Sequence, residues 1–285
     1  NHLRHAIRHQ ELRLFYQPKI CSRTLQITGV EALIRWHHRE LGLILPEHFV
    51  PIAERSGLIA EIGAWALNEA CRQARAWLDE GLPPLKMAVN VSAAQTQRGN
   101  LVDTVRQALH DSGLPPEQLI LELTETLLIE SGDQARCLIT QLKQLGLKLS
   151  LDDFGTGLAT FEYLKRFPLD YLKIDGSFVR NLMTNPIDEE IILSTVRVAK
   201  RLKLRTVAEH VHNAAIYERL TDLGVSYLQG DFFGKAMPLA EMFERQAPST
   251  AHLRQPPPRP LSGTPLPSAP PPSVGNTVGG ASVLH

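Results

Sequence analysis

The chain has 285 residues, of which 43% are hydrophobic and 21% charged, an ordinary composition for a globular protein. Its 30 basic and 30 acidic side chains cancel, so net charge gives no reason to expect binding to nucleic acid or to an anionic membrane. No apolar run approaches the roughly 18–20 residues that span a bilayer, and no signal peptide is recognisable. The three cysteines are widely spaced, which predicts reduced thiols in a cytoplasmic protein.

Composition changes sharply after Ala247. Residues 248–285 contain half of the 20 prolines, no acidic residue and almost no large apolar side chain. Such a segment buries too little surface to offset its ordering entropy. We therefore predict a folded domain over residues 1–247, followed by a disordered tail with polyproline character over 248–285.

Eight segments before the tail are typical of buried strands. They are residues 12–18, 27–36, 86–91, 119–124, 147–152, 170–174, 204–209 and 225–229. From the second onward helical segments separate them, the pattern of an α/β, TIM-like (β/α)8 barrel. Only about eight residues join the first two strands, too few for a parallel crossover, so the first strand should be antiparallel.

Several helix boundaries are marked by their terminal residues. Gly146 and Gly224 each follow a helical segment and precede an apolar run, as left-handed C-terminal caps do. Asn185-Pro186 predicts an N-cap and a first-turn proline at the start of another helix. The apolar stripe of that helix should comprise Ile187, Ile191, Val198 and Leu202.

Polar residues occupy the ends of six successive predicted strands. In chain order they are Asn90, Glu122, Asp152 with Asp153, Lys173 followed by Asp175, Glu209 and Gln229. The carboxyl ends of barrel strands form the mouth of the active site. Five acids would then face one lysine, Lys173: they are Glu31 from the second strand, Glu122, Asp152, Asp153 and Glu209.

Such a cluster of like charges is stable only with cations or with raised pKa values. All its donors are hard oxygens, which favours Mg²⁺ or Mn²⁺ over zinc or copper. Five acids and an amide suffice for two ions that share an aspartate, the arrangement used in phosphodiester hydrolysis. The alternative is a set of internal salt bridges at the barrel rim, for which the predicted mouth offers few cations.

The adjacent acids Asp152 and Asp153 pose a geometric problem. Neighbouring side chains on a strand point to opposite faces. Both can therefore reach one site only where the strand stops, and the glycine-rich turn from Gly155 should provide that stop.

The motifs around these residues resemble those of EAL domains. They are YQP (16–18), GVEALIRW (29–36), VNVS (89–92), ELTE (122–125), LDDFGTG (151–157), LKID (172–175), AEHV (208–211) and LQG (228–230), in the family's order over about residues 5–245. The resemblance implies a TIM-like barrel with an antiparallel first strand. It also implies a phosphodiesterase that cleaves cyclic di-GMP to linear pGpG with two Mg²⁺ or Mn²⁺ ions and is inhibited by Ca²⁺.

The resemblance also implies a role for each residue. One ion would be held by Glu31, Asn90, Glu122 and Asp152. The second would be held by Asp152, Asp153 and Glu209. The catalytic set would comprise Lys173 beside the nucleophilic water, Glu209, and Gln229, which would position water or substrate. Arg35 and Gln17 would contact the substrate, together with Gln229. Glu125 and Asp175 would support the metal ligands without contacting the metal ions. Glu125 would do so by tethering the loop after residues 147–152.

The chain departs from the family pattern without losing a predicted ligand. Leu158-Ala159-Thr160 replaces a hydroxyl-rich loop that helps to order the second metal and the dimer contacts. His210 and His212 replace a glycine and a glutamate, and either metal ligation or a surface role is open to them. Asp231 replaces a tyrosine. The alternative function is therefore a cyclic di-GMP receptor with little or no turnover, and the resemblance implies a homodimer and an upstream sensor or GGDEF domain as partners.

Overall fold

The structure is a computed structural model that describes residues 2–98, 100–155 and 161–238. The divergent loop at residues 158–160, the domain boundary predicted at residue 247 and the proline-rich segment lie outside these described residues. In the part of the chain that the structure describes, no helix combines the length and the apolar character needed to cross a membrane.

The strands form one mixed sheet that closes into a barrel. They are β1 (Leu12–Cys21), β2 (Ile27–His38), β3 (Gly42–Ile44), β4 (Lys86–Val91), β5 (Leu119–Thr124), β6 (Lys148–Phe154), β7 (Tyr171–Ile174), β8 (Arg205–Ala208) and β9 (Tyr227–Leu228). Eight of them close the ring because β1 pairs with both β2 and β9, and β3 is an additional short strand on the edge of β2. The predicted barrel is confirmed, and β3 is the strand that the sequence did not predict.

Helices cover the outside of the barrel. They are α1 (His2–Arg8), α2 (Pro46–Ser56), α3 (Ile59–Asp79), α4 (Ala93–Arg98), α5 (Leu101–Ser112), α6 (Glu125–Gln144), α7 (Phe161–Arg166), α8 (Gly176–Asn181), α9 (Pro186–Arg201) and α10 (Ala214–Asp222). A short 3₁₀ turn, Pro116–Gln118, precedes β5.

The reversed first strand is confirmed by its pairing. β1 is antiparallel to both of its neighbours, whereas β2 and β4 to β9 run parallel to one another around the ring. Gln17 lies opposite Glu31 and Lys19 lies opposite Gly29. Residues of β1 therefore move deeper into the barrel as the chain advances, while those of every other barrel strand move toward the mouth.

The predicted helix boundaries are confirmed, but one buried face is not. Gly146 and Gly224 have positive φ, at 92° and 87°, and the side chain of Asn185 accepts a hydrogen bond from Ile187 N at the start of α9. However, the side chain of Ile187 is 70% exposed, and Ile192 and Val196 are buried instead. The predicted stripe was wrong at its start, where Ile187 faces solvent while its neighbour Asp188 is buried, whereas Val198 and Leu202 are partly buried against the core.

The apolar core lies mainly between the barrel and the helices. On β5, Leu119, Leu121 and Leu123 are fully buried and pack with Leu142 of α6 in the largest cluster. Glu122 lies between them and points to the other face of the strand, the barrel interior. The sheet thus combines an apolar outer surface with a charged interior, and the charged interior positions the site.

Candidate active site

The polar residues predicted at strand ends converge in the upper half of the barrel. Lys173 of β7 is at their centre and only 1% exposed. Its Nζ lies 2.7 Å from an oxygen of Glu209, 2.8 Å from Glu122 and 3.0 Å from Asp152. A fourth carboxylate, that of Glu31, is 3.6 Å away. One ammonium group therefore serves acids from four other strands or strand ends.

Glu31 is held by amide donors as well as by charge. Asn90 Nδ2 donates to its Oε1 at 2.7 Å, and Gln229 Nε2 donates to its Oε2 at 2.7 Å. Gln229 also donates to Gln17 Oε1 at 2.9 Å, so a row of side chains crosses from β1 to the end of β9. The carboxylate of Glu31 is consequently fixed in orientation, as a metal ligand must be.

Asp152, Asp153 and Glu209 form a second group of acids. One carboxylate oxygen from each lies within 4.8 Å of the other two, a spacing that would allow the three to hold one cation. The backbone explains how the two adjacent aspartates share a site. Asp153 has a φ of 56°, and the register between β6 and β7 shifts between Leu151 and Phe154.

This irregularity corrects the predicted geometry. The strand does stop directly before Gly155, but it runs to Phe154, two residues beyond the predicted end at residue 152. The change of direction occurs at Asp153 itself, whose left-handed backbone turns a side chain that regular alternation would point away. Such a conformation is costly for a residue other than glycine and is typical of functional sites.

The charge surplus shifts the pKa values of the acids. Burial raises the pKa of Asp152 to about 6, Lys173 opposes that rise and Glu209 adds to it. Burial likewise raises the pKa of Glu122 and of Glu209. Burial also acts to raise the pKa of Glu31, but the charges of Lys173 and Lys19 and the two amide donors together outweigh it and bring the pKa to about 2. Conversely, burial opposes the charge of Lys173, but the surrounding carboxylates raise its pKa well above the usual value.

Sequence reasoning missed one charged residue of this network. Lys19 of β1 is 6% exposed, and its Nζ donates to Glu122 Oε1 and lies 4.0 Å from Glu31 Oε2. The search for polar strand ends could not find it because β1 runs the other way. The available signal was alternation, since Lys19 is two residues from Gln17 and therefore shares its inward face.

A cavity of about 730 Å³ adjoins the acids, with Glu209 and Gln229 in its lining. Arg35 lines it, half-buried beside the Phe15 ring at 5.7 Å, and burial lowers its pKa. Gln17 lines it too and donates from Nε2 to Gly234 O at 3.2 Å. The unpredicted β3 contributes Leu43 to the wall. Apolar and basic walls above an acidic floor suit a ligand with both aromatic bases and phosphates.

The two supporting residues have different surroundings. Glu125 is buried at the start of α6, and its Oε1 accepts a hydrogen bond from Gly155 N at 2.8 Å. Its Oε2 has no hydrogen-bond partner among the described residues. Asp175 caps α8, where its Oδ1 accepts from Ser177 N at 2.8 Å. Glu125 thus ties the backbone just beyond Asp153, whereas Asp175 fixes the helix that follows Lys173.

His210 and His212 line the cavity without joining the group of three acids. His210 adopts a left-handed backbone, with φ 55°, and its ring lies against Gly176. A Cβ at residue 176 would be only 2.0 Å from that ring. His212 is exposed and its Nδ1 is 3.1 Å from the carbonyl oxygen of His210. The pair therefore shapes one wall of the cavity.

Comparison with known proteins was consistent with these motifs. A family model described as "EAL domain" matches residues 1–236. The chain is 44% identical over 240 residues to the bifunctional diguanylate cyclase/cyclic di-GMP phosphodiesterase MucR of Pseudomonas aeruginosa, a match covering 84% of this chain and 35% of that protein. It is 40% identical over 243 residues to the cyclic di-GMP phosphodiesterase PdeR of Escherichia coli, covering 85% and 36% of the two chains.

A solved structure gives the same result for the fold. The structure titled "PaMucR Phosphodiesterase, c-di-GMP complex" superposes with a TM-score of 0.81 at 44% sequence identity. The match covers 84% of this chain and 97% of that one. The chain spans about a third of the length of the curated relatives described above.

Proposed function

The chain belongs to the EAL domain family, and we propose that it hydrolyses cyclic di-GMP to linear pGpG with two divalent metal ions. One observation carries the proposal: four carboxylates converge on Lys173, and one of them, that of Glu209, lines a cavity whose walls suit a dinucleotide. Relatives named as cyclic di-GMP phosphodiesterases and a structural neighbour named as a cyclic di-GMP complex support the choice of substrate.

The residues present fit a pair of hard cations. Glu31, Asn90, Glu122 and Asp152 would hold the first ion, and Asp152, Asp153 and Glu209 the second. The donors are carboxylate and amide oxygens, which Mg²⁺ and Mn²⁺ prefer. When bound, such ions supply a strong nucleophile from water and neutralise charge on the phosphodiester. Ca²⁺ would occupy the same oxygens with looser geometry and would inhibit.

The remaining residues have roles that follow from charge and position. Lys173 keeps its proton among the carboxylates, so in this site it orients water and balances charge rather than removing a proton. Gln229 would position water or substrate beside Glu31. Arg35 and Gln17 line the cavity and would contact the substrate, Arg35 at a phosphate.

Further proposals concern the protein around this domain. We propose a cytoplasmic location, a homodimer formed through the EAL domain, and an upstream sensor or GGDEF domain that regulates it. The proposed domain covers residues 1–247 and the proposed tail 248–285. None of these proposals is needed for the chemistry.

A hydrolysis assay tests the proposed function. Cyclic di-GMP is incubated with the protein in Mg²⁺ or Mn²⁺, and pGpG is measured by chromatography. We expect product from the wild type and none from Glu31→Ala. The matched control is Glu117→Ala, because Glu117 is an exposed acid in the 3₁₀ turn that precedes β5.

The same assay separates an enzyme from a receptor. Absence of pGpG at high protein concentration would contradict the proposed enzyme. Calorimetric binding of cyclic di-GMP in Ca²⁺ without product in Mg²⁺ would instead identify the alternative, a receptor module. Full activity of Glu31→Ala would show that the metal assignment is wrong.

A further inference from the structure

Lys19 approaches the acids from the opposite end of the barrel to the substrate cavity. Because β1 is reversed, Lys19 lies deeper in the barrel than Gln17, opposite the side-chain-free position Gly29. It lines a small cavity of about 100 Å³ at the amino ends of the parallel strands, together with Lys86 and Ser150. Lys19 is therefore separated from the substrate cavity by the acids themselves.

The carboxylate of Glu122 lies between two ammonium groups. Lys19 Nζ donates to its Oε1, and Lys173 Nζ donates to its Oε2 at 2.8 Å. Each oxygen thus has its own lysine, and the side chains of all three residues are at most 8% exposed. A carboxylate held in this way has one orientation available to it.

The two lysines differ in the acids that they reach. Lys173 contacts acids proposed for both ions, including Asp152 and Glu209. Lys19 lies near only two of the acids in the described part of the chain, Glu122 and Glu31, both proposed for the first ion. Its ammonium group lies buried on the far side of those ligands. A cation entering from the mouth would therefore meet ligands whose charge Lys19 has partly neutralised.

We propose that Lys19 is a positioning residue that holds Glu122 and lowers the affinity of the first metal site. The inference rests on the proposed function, since it needs a metal site formed by Glu31 and Glu122. Lys19 does not touch the substrate or the reacting water. It acts through an ammonium group behind Glu31 and Glu122, which weakens cation binding at the first site.

Two substitutions separate the charge of Lys19 from its hydrogen bond. Lys19→Met removes both and keeps a similar length. Lys19→Gln removes the charge but retains an amide that can donate to Glu122. The matched control is Lys86→Met, because Lys86 lines the same small cavity but donates to the carbonyl oxygen of Glu117 at 2.9 Å. Folding of each variant is checked by thermal melting.

The measurement is titration of each purified, metal-free protein with Mn²⁺ by calorimetry. We expect Lys19→Met and Lys19→Gln to bind one Mn²⁺ per chain about tenfold more tightly, as removal of a unit charge a few ångströms from the ligands requires. Lys86→Met should bind like the wild type. If Lys19→Met does not fold, Lys19→Gln decides alone.

Unchanged or weaker Mn²⁺ binding by Lys19→Gln would overturn the inference, because that variant lacks the charge but keeps a donor. Equal tightening by Lys86→Met would overturn it too, since the effect would then belong to the cavity and not to Glu122. Because the titration requires no cyclic di-GMP, its result is independent of turnover. Tighter Mn²⁺ binding in a protein that makes no pGpG would refute the proposed function and uphold the role of Lys19.

Discussion

Two aspartates near opposite ends of β6 have opposite electrostatic surroundings. Near the amino end, Asp170 accepts hydrogen bonds from Lys143 at 2.6 Å, Lys148 at 3.1 Å and Leu149 N at 2.9 Å. Burial opposes these donors, but they lower its pKa. At the carboxyl end, Asp152 shares one lysine with three other carboxylates, and burial raises its pKa to about 6.

The difference separates an acid that supports the fold from one that supports function. Asp170 has more cationic partners than it needs, so its charged form stabilises the native state. Asp152 has too few, so its charge is costly until another cation arrives. Of the two aspartates, only Asp152 lacks cationic partners sufficient for its charge. It lies at the end of β6 that faces the large cavity.

Replacing Asp152 should give the largest effect. Asp152→Asn should reduce turnover of cyclic di-GMP by more than the roughly hundredfold that changes to outer-shell groups cost, because this residue is proposed to bridge the two ions. Initial rates of pGpG formation measure the loss. Activity within tenfold of the wild type would place the bridging ligand elsewhere.

The second-largest effect should come from metal addition, which should distinguish Asp152 from Asp170. Mn²⁺ at a hundred times its Kd should stabilise the wild type by about 2.7 kcal/mol, since it binds only the folded chain. Asp170→Asn should show the same stabilisation and Asp152→Asn much less of it. Thermal melts in Mn²⁺, repeated after addition of EDTA, measure the stabilisation of each variant. Equal stabilisation of Asp152→Asn and Asp170→Asn would contradict the proposed difference between the two aspartates.

The pH dependence of metal-free stability should have opposite signs at the two aspartates. The folded-state pKa of Asp152 is raised, so its penalty is absent below the unfolded pKa of about 3.9 and grows as pH rises through about 6. Asp152→Asn should therefore gain stability over the wild type between pH 4 and 7, by ~3 kcal/mol at most. Urea denaturation at several pH values tests this, and a constant difference would contradict the raised pKa.

Asp170→Asn should give the smallest effect, confined to stability. Loss of the charge-assisted bonds at this half-exposed site should cost about 1 kcal/mol in the free energy of unfolding near neutral pH. That contribution should disappear as pH falls below about 4, because the folded-state pKa is lowered. Turnover should match the wild type, and a variant with normal stability but impaired hydrolysis would reverse the assignment.

The sequence predicted the architecture well because strands in a barrel are periodic and separated. β4 and β5 have the predicted bounds, and the short connection after β1 correctly required an antiparallel pair. The three-residue β3 has too short a pattern to be predicted, although it shapes the cavity. Ile187 was assigned to a buried face because periodicity does not reveal which side of the first helical turn is covered by neighbouring residues.

The candidate site was predictable only where a local rule applies. Polar residues at the ends of parallel strands must converge, so Asn90, Glu122 and Lys173 could be found from the sequence. Lys19 could not be found by that rule because it lies on the reversed strand. The left-handed turn at Asp153 was also hidden, since it depends on a register shift against β7 that no local pattern records.

The contact between His210 and Gly176 constrains how this site can diverge. A Cβ at residue 176 would lie only 2.0 Å from the His210 ring. A substitution at either position therefore depends on the residue at the other. A larger residue at 176 therefore requires the His210 ring to move or to be replaced. While histidine occupies position 210, the glycine that begins α8 avoids a collision with its ring. Each residue therefore restricts which substitutions the other can accept.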